Sequence, residues 1–333
     1  MWNKYFTLLL FGSLFCAPIL LMAQDEPIVI SDTLATDSVA PAKLRIFAAP
    51  VVGYTPETRF FFGAGAILYV PPPKKYPHTN ASTLKAIFDI SQNKQVESNL
   101  TGEGYFMDNL YRSDFSIRYY KYPDLFFGIG NNTSEDDKEK YNYDYFNWTI
   151  DVQRLVYPNL YAGFKTFFEW NKIYDVEQGG LFDTEDIPGE DGGLNTGLGL
   201  WLTYDTRDNI YFPLKGYYLD ASAAVHNGIF GSDFNYVDYS FEYRHFKQIG
   251  KDDVLAWNVY TEFLPGSPPF NRMAKLGGDS YMRGNYNGRF RDRYYATAQA
   301  EYASPFEIFR HHHRKDSPDW AKWHILLISS SLD

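Results

Sequence analysis

From Ile46 onward the dominant period in this chain is two. In 160–171, Leu160, Ala162, Phe164, Thr166, Phe168 and Trp170 alternate with Tyr161, Gly163, Lys165, Phe167, Glu169 and Asn171. In 196–205, Leu198, Leu200, Leu202 and Tyr204 share one face, and Gly197, Gly199, Thr203 and Asp205 the other. Segments 217–226 and 254–263 repeat the pattern. Such alternation marks strands with one apolar and one polar face. Many of these segments run ten residues or more, against about five or six for an ordinary soluble strand and about ten for a tilted strand crossing a bilayer. The polar faces carry charge, as at Arg118, Lys165, Glu169 and Glu262. A soluble sandwich buries its apolar face, whereas a membrane barrel turns that face to lipid and keeps a wet lumen. Periodicity alone does not separate the two. Strand length and an aromatic content of 19%, with 28 Tyr and 27 Phe, favour the barrel, because these residues suit strands and Tyr suits membrane interfaces. A mean hydropathy of −0.38 excludes a bundle of apolar membrane helices.

The pattern predicts an all-β, transmembrane antiparallel barrel. About twelve strands are expected, near 46–54, 58–70, 81–91, 95–107, 111–121, 143–156, 159–172, 194–207, 216–227, 233–248, 253–264 and 292–303. Some connections are short, such as Tyr157-Pro158-Asn159. Others are long and polar: 131–142, 173–193 and 265–291. Short turns at one end and long loops at the other suit an outer-membrane barrel.

Lys4 precedes an apolar stretch from Phe6 to Met22, followed by Ala23-Gln24-Asp25. This reads as a secretory signal peptide over 1–23 rather than a membrane anchor, and as export to the bacterial outer membrane. Phe15 before Cys16 argues against lipoprotein processing. Residues 24–45 read as a flexible periplasmic leader, 46–305 as the barrel and 306–333 as a divergent, irregular tail. Cys16 is the one cysteine, so no intrachain disulfide is possible. A net charge of −10 makes nucleic acid an improbable partner.

The stretch 276–292, LGGDSYMRGNYNGRFRD, is the most informative. A surface loop with solvated arginines is the plain reading. The sharper one is a loop folded into the lumen, where Arg283 pairs with an inward carboxylate, because a buried arginine needs such a partner. Met282-Arg283-Gly284-Asn285-Tyr286 resembles the arginine-glycine-aromatic loop motif of the Omp85 superfamily, the BamA/TamA-like "bacterial surface antigen D15" barrels, with the aromatic one place late. Residues 291–295 and 300–302 resemble the strand that follows that loop. Upstream, Leu202 to Asn209 and Phe212 to Tyr217 resemble a second family segment, with Asp205, Arg207, Asp208 and Asn209 at a strand end.

The resemblance implies a sixteen-strand barrel with the arginine loop between the eleventh and twelfth strands, which agrees with eleven strands counted before it. It also implies that the loop arginine, Arg283, meets an acidic residue of the inner wall, which in this sequence is Glu301; Thr297, Gln299 and Glu301 share the polar face of their strand. Two departures stand out. Residues 24–45 leave no space for periplasmic POTRA domains, and the strand pattern stops after Pro305. The expectation is therefore a C-terminally truncated or frameshifted barrel with an open sheet and an exposed edge at 292–303. The implied function is assembly or translocation of outer-membrane proteins or lipids, the expected partners being outer-membrane lipid and unfolded protein or lipid clients. The alternative is a passive pore or structural barrel.

No cofactor or catalytic chemistry is expected. His311-His312-His313 lacks the geometry of one metal centre, and Asp205 to Asn209 lacks the spacing of a calcium loop. Gly63-x-Gly65, Gly128-x-Gly130 and Gly197-x-Gly199 lie in or at the ends of strands, where glycine allows barrel curvature. Ser280 and Ser304 lack a nucleophile elbow.

Overall fold

A computed structural model describes residues 43–55, 59–210, 212–250, 253–277, 286, 288–303 and 323–326. The signal-peptide reading over 1–23, most of the leader and most of the tail lie outside these residues. Twelve long strands appear where the alternation predicts them: β1 (Arg45–Thr55), β2 (Arg59–Val70), β3 (Ser82–Ser91), β4 (Val96–Phe106), β5 (Tyr111–Phe126), β6 (Glu139–Tyr157), β7 (Leu160–Tyr174), β8 (Gly192–Asp205), β9 (Gly216–His226), β10 (Asn235–Gln248), β11 (Val254–Phe263) and β15 (Tyr294–Ala303). The short strands are β12 (Gly266–Ser267), β13 (Ala274–Leu276), β14 (Phe290–Asp292) and β16 (Trp323–Leu326), and one helical turn, α1 (Leu181–Thr184), lies between β7 and β8.

Each long strand pairs antiparallel with its neighbour in sequence, then β11 with β15 and β15 with β16. Because direction alternates, the three longest connections between β1 and β15, namely β5–β6, β7–β8 and β11–β15, leave from the same end. The loop expected over 131–142 is shorter than its charges suggest: β5 and β6 stay paired from Tyr111↔Arg154 to Phe126↔Glu139. Backbone pairing persists there because it does not require an apolar side chain. Within the stretch read as an irregular tail, Trp323–Leu326 pairs with Ala300–Ala303. Among the described residues β1 pairs with β2 alone and is joined to neither β15 nor β16, so the sheet is open.

The two faces settle which way the barrel is turned. Gln153, Glu169, Asn195, Thr203 and His226 are at most 1% exposed, while Phe164 and Leu200 are 62% and 63% exposed. Polar groups are buried and large apolar groups face outward, the inverse of a soluble sandwich and the arrangement lipid requires. Cross-strand partners point to the same side of a sheet. The series Arg45, Tyr69, Thr83, Glu103, Asp114, Asp151, Lys165, Gly199, Ala224, Asp238 therefore traces one inner row from β1 to β10.

Candidate functional site: a loop docked on the inner wall

The chain between β11 and β15 folds back onto the inner face and is held there by apolar and ionic contacts. Phe270 is fully buried and packs edge-on against Phe126, Tyr141 and Phe182 at ring separations of 5.2, 5.5 and 5.2 Å. Such edge-to-face geometry is favoured by ring quadrupoles. Ile173 and Ile187 complete this cluster. Phe182 is delivered by α1. The Glu139 carboxylate anchors that segment by accepting hydrogen bonds from the backbone N–H groups of Glu177 and Phe182, both at 3.1 Å.

Beyond Phe270 the contacts turn polar. Asn271 Nδ2 donates to Glu169 Oε1 at 2.7 Å. Arg272 Nη2 reaches Asp238 Oδ2 at 2.5 Å and Glu262 Oε1 at 3.2 Å, and its guanidinium lies 5.5 Å from the Phe167 ring centre. The inward phase of β7, β10 and β11 places those three carboxylates on the wall. β13 and β14 then pair as a hairpin, Ala274↔Asp292 to Leu276↔Phe290. Arg291, fully buried, sends Nη2 to Asp124 Oδ2 at 3.0 Å and lies between the rings of Phe126 and Phe270 at 5.7 and 5.6 Å. Gly288, with φ of 80°, lets the loop turn where a Cβ would approach Arg291 Nε to 3.0 Å. Burial, then the adjacent Arg291 guanidinium, push the Lys275 ammonium down to about 8. Between loop and wall remains a cavity of about 590 Å³ whose lining includes Arg118, Asp151, Lys165, His226 and Lys275.

Of the residues expected in the loop motif, Arg283 and Gly284 lie outside the described residues. Tyr286 is at the wall: its hydroxyl donates to Asp124 Oδ1 at 2.9 Å. Glu301 sits on the inner phase of β15 opposite Ala256, and its expected partner Arg283 is outside the described residues. Among the described residues the ion pairs between this loop and the wall are Arg272 with Asp238 and Glu262, and Arg291 with Asp124. Arg272, Asp238 and Asp124 escape sequence reasoning. The available signal is the inward phase of Glu169, Asp238 and Glu262: three carboxylates aimed into one interior call for a cation from elsewhere.

Asp205, Arg207, Asp208 and Asn209 form a brace for the β8–β9 turn. Arg207 donates Nε and Nη2 to the two Asp205 oxygens at 2.9 and 2.7 Å, and its guanidinium lies 4.6 Å from the Tyr218 ring centre. Asp208 Oδ1 accepts from the backbone of Leu214 and Lys215 at 3.0 and 3.2 Å, and Asn209 Oδ1 from Phe212 N at 3.0 Å. The small burial of Asp208 would raise its pKa, but these backbone donors outweigh it and hold the carboxyl below its usual value. The brace borders a second cavity of about 870 Å³, which Arg112 and Tyr161 also line.

An outward apolar face, a polar inner face and a basic loop docked on that inner face define a membrane-spanning β-barrel with an internal plug. Residues 80–314 match the Omp85 superfamily domain, and the chain belongs to that superfamily. Its fold is similar to BamA from Haemophilus ducreyi lacking POTRA domains 1–3, with a TM-score of 0.53 and 15% identity over 81% of this chain and 55% of that one. It is also similar to CdiB from Escherichia coli, with a TM-score of 0.52 and 10% identity over 80% of this chain and 48% of that one. The chain thus spans about half the length of these solved relatives. No curated protein matches it in sequence.

Proposed function

We propose that this chain is an outer-membrane barrel that assists the assembly or translocation of proteins or lipids at that membrane. The observation that carries this reading is the seam. Among the described residues β1 is paired on one side only, and an unpaired strand in lipid leaves N–H and C=O groups with no water to satisfy them. Such an edge is a template for an incoming strand. The long-loop end would face the cell exterior and the short-turn end the periplasm. A passive pore is the competing reading. The docked loop speaks against it, because Phe270, Arg272 and Arg291 occupy the interior that a pore keeps clear. Depletion of the protein, followed by a census of outer-membrane proteins and lipids, tests the proposal. A selective deficit of either class is expected. An unchanged census with altered solute permeability would favour the pore.

A further inference from the structure

The inner face changes character at the seam. Along β7 to β11 it is polar and charged. On β1 and β2 the same face carries Phe47, Ala49, Val51, Gly63, Gly65 and Ile67, placed inward by the register through Arg45↔Tyr69, Phe47↔Ile67 and Val51↔Gly63. These groups are open rather than packed: Phe47 is 69% exposed, Ile67 45% and, on β3, Ile87 42%. The outward groups of β1 are equally open, with Ile46 at 70% and Val52 at 65%. β1 is therefore apolar on both faces, the signature of a strand whose two sides both meet an apolar medium. Because β1 is the sheet edge among the described residues, the outward lipid-facing surface continues round it onto the inner wall.

The short-turn end of the same strands is basic. Lys43 and Arg45 open β1, and Lys74 and Lys75 follow β2; all four are exposed. A cluster of this kind at the edge of an apolar surface attracts anionic lipid headgroups.

We propose that the seam is an access site for an anionic glycerophospholipid. One acyl chain lies on the inner face of β1 and β2 against Phe47 and Ile67, with Ile87, between the inward Lys85 and Asp89 of β3, at its margin, and the headgroup sits at the Lys43, Arg45, Lys74 and Lys75 rim. An acyl chain needs no hydrogen bonds, so it can lie across the face of a paired strand. An incoming client strand would pair at the edge of β1 in the plane of the sheet and leave Phe47 and Ile67 uncovered. The inference rests on the barrel reading and names lipid as the client class that reading leaves open.

The test is photo-crosslinking of the full chain reconstituted in phosphatidylcholine vesicles. The probe is phosphatidylglycerol carrying a diazirine within one acyl chain, compared with a phosphatidylcholine carrying the same group. Adducts are mapped to single residues by mass spectrometry. Adducts on the inward Phe47, Ile67 and Ile87 as well as the outward Ile46 and Val52 are expected, with the inward ones favouring phosphatidylglycerol. The rim variant Lys43→Glu/Arg45→Glu, which touches only exposed positions, should lower that preference by at least about tenfold, since each basic group near an anionic surface contributes about fivefold. Phe47→Gln/Ile67→Gln should remove inward adducts while leaving outward ones. A gel shift between heated and unheated samples reports that each variant has inserted and folded. Inserted protein with adducts on outward residues alone would overturn the lipid inference and leave the barrel intact. So would inward residues shielded from the probe by another part of the chain. Failure of the unsubstituted chain to insert would overturn the barrel reading and the lipid inference with it.

Discussion

The guanidinium of Arg291 lies 3.0 Å from the carboxylate of Asp124, across 167 positions of sequence. Asp124 also accepts hydrogen bonds from the hydroxyls of Tyr141 at 2.8 Å and Tyr286 at 2.9 Å. The loop and the wall thus share one anion. The backbone repeats the link: Gly130 N donates to Arg291 O at 2.8 Å, tying the β5–β6 connection to β14. Arg291 is fully buried, and a buried cation without its partner is strongly unfavourable.

Arg291→Ala should therefore destabilise the folded barrel by about 3–5 kcal/mol, against about 0–1 kcal/mol for a solvated arginine. Asp124→Ala should cost a similar amount, and the double variant less than the sum of the two. Arg291→Lys keeps the charge but loses the planar fork that also reaches the Leu125 carbonyl at 3.3 Å, so it should recover only part of the loss. Urea midpoints in detergent measure all four. Strictly additive losses would show that the pair is not energetically coupled.

Gly197 gives a second test. A Cβ there would lie 2.6 Å from the ring of His226. That ring cannot easily yield, being stacked on Tyr236 at 4.3 Å and edge-on to Phe167 at 5.2 Å. Gly197→Ala is expected to cost about 1–3 kcal/mol through overpacking. Adding His226→Ser should recover most of it, because the smaller side chain vacates the space. Unchanged thermal stability of Gly197→Ala in detergent would count against this packing.

These contacts show where sequence reasoning reached and where it stopped. The phase of Lys165 and Glu169 against Phe164 and Phe168 follows from alternation alone, because a strand fixes side-chain direction every second residue. The strand count before the loop followed in the same way. Gly197 was legible as a strand glycine, but its role is to admit His226, which the register places opposite it and sequence spacing does not. Arg272 lies in a loop with no period and pairs with Asp238 across 34 positions, so its partner is set by sheet curvature. The charges of 131–142 suggested loop, yet Glu139 to Asn142 belong to β6 because backbone pairing outlasts the apolar pattern. The signal that favoured Arg283 over Arg291 was the family motif; burial, which marks out Arg291, is invisible until the loop is folded.

Lys275 makes stability depend on alkaline pH. Burial first, and Arg291 second, lower its pKa to about 8, below the roughly 10.4 of an unfolded lysine. Between those values the unfolded chain binds more protons than the folded one, so stability rises with pH across that window. Below about 8 both states are protonated and the folded state carries the full penalty of the buried charge. Lys275→Met removes this titration. It should be more stable than the parent at pH 7, with the difference shrinking from pH 8 towards 10. Unfolding midpoints of both proteins over that range check it. A constant difference would show that Lys275 does not titrate within it.

The last prediction concerns Arg272, the loop's other ionic anchor. It bridges Asp238 and Glu262, which sit diagonally on the inner face of adjacent strands, Glu262 lying opposite Ser240. Arg272→Met keeps the bulk of the side chain but leaves two wall carboxylates without their cation. Breaking a buried ionic contact costs about 3–5 kcal/mol, so the population of undocked loop should rise by about two to four orders of magnitude. Limited proteolysis between Leu264 and Arg293 reads that population when opening and closing are fast relative to cleavage. The variant should be cut correspondingly faster while the β1–β11 strands stay resistant. Adding Asp238→Asn and Glu262→Gln neutralises the stranded carboxylates, and the triple variant should return to near the parental cleavage rate. If the triple variant is cut as fast as Arg272→Met, the loop is held by the Phe270 cluster and the shape of the arginine rather than by charge. Equal cleavage of the parent and Arg272→Met would show that Arg291 and Asp124 suffice to dock the loop.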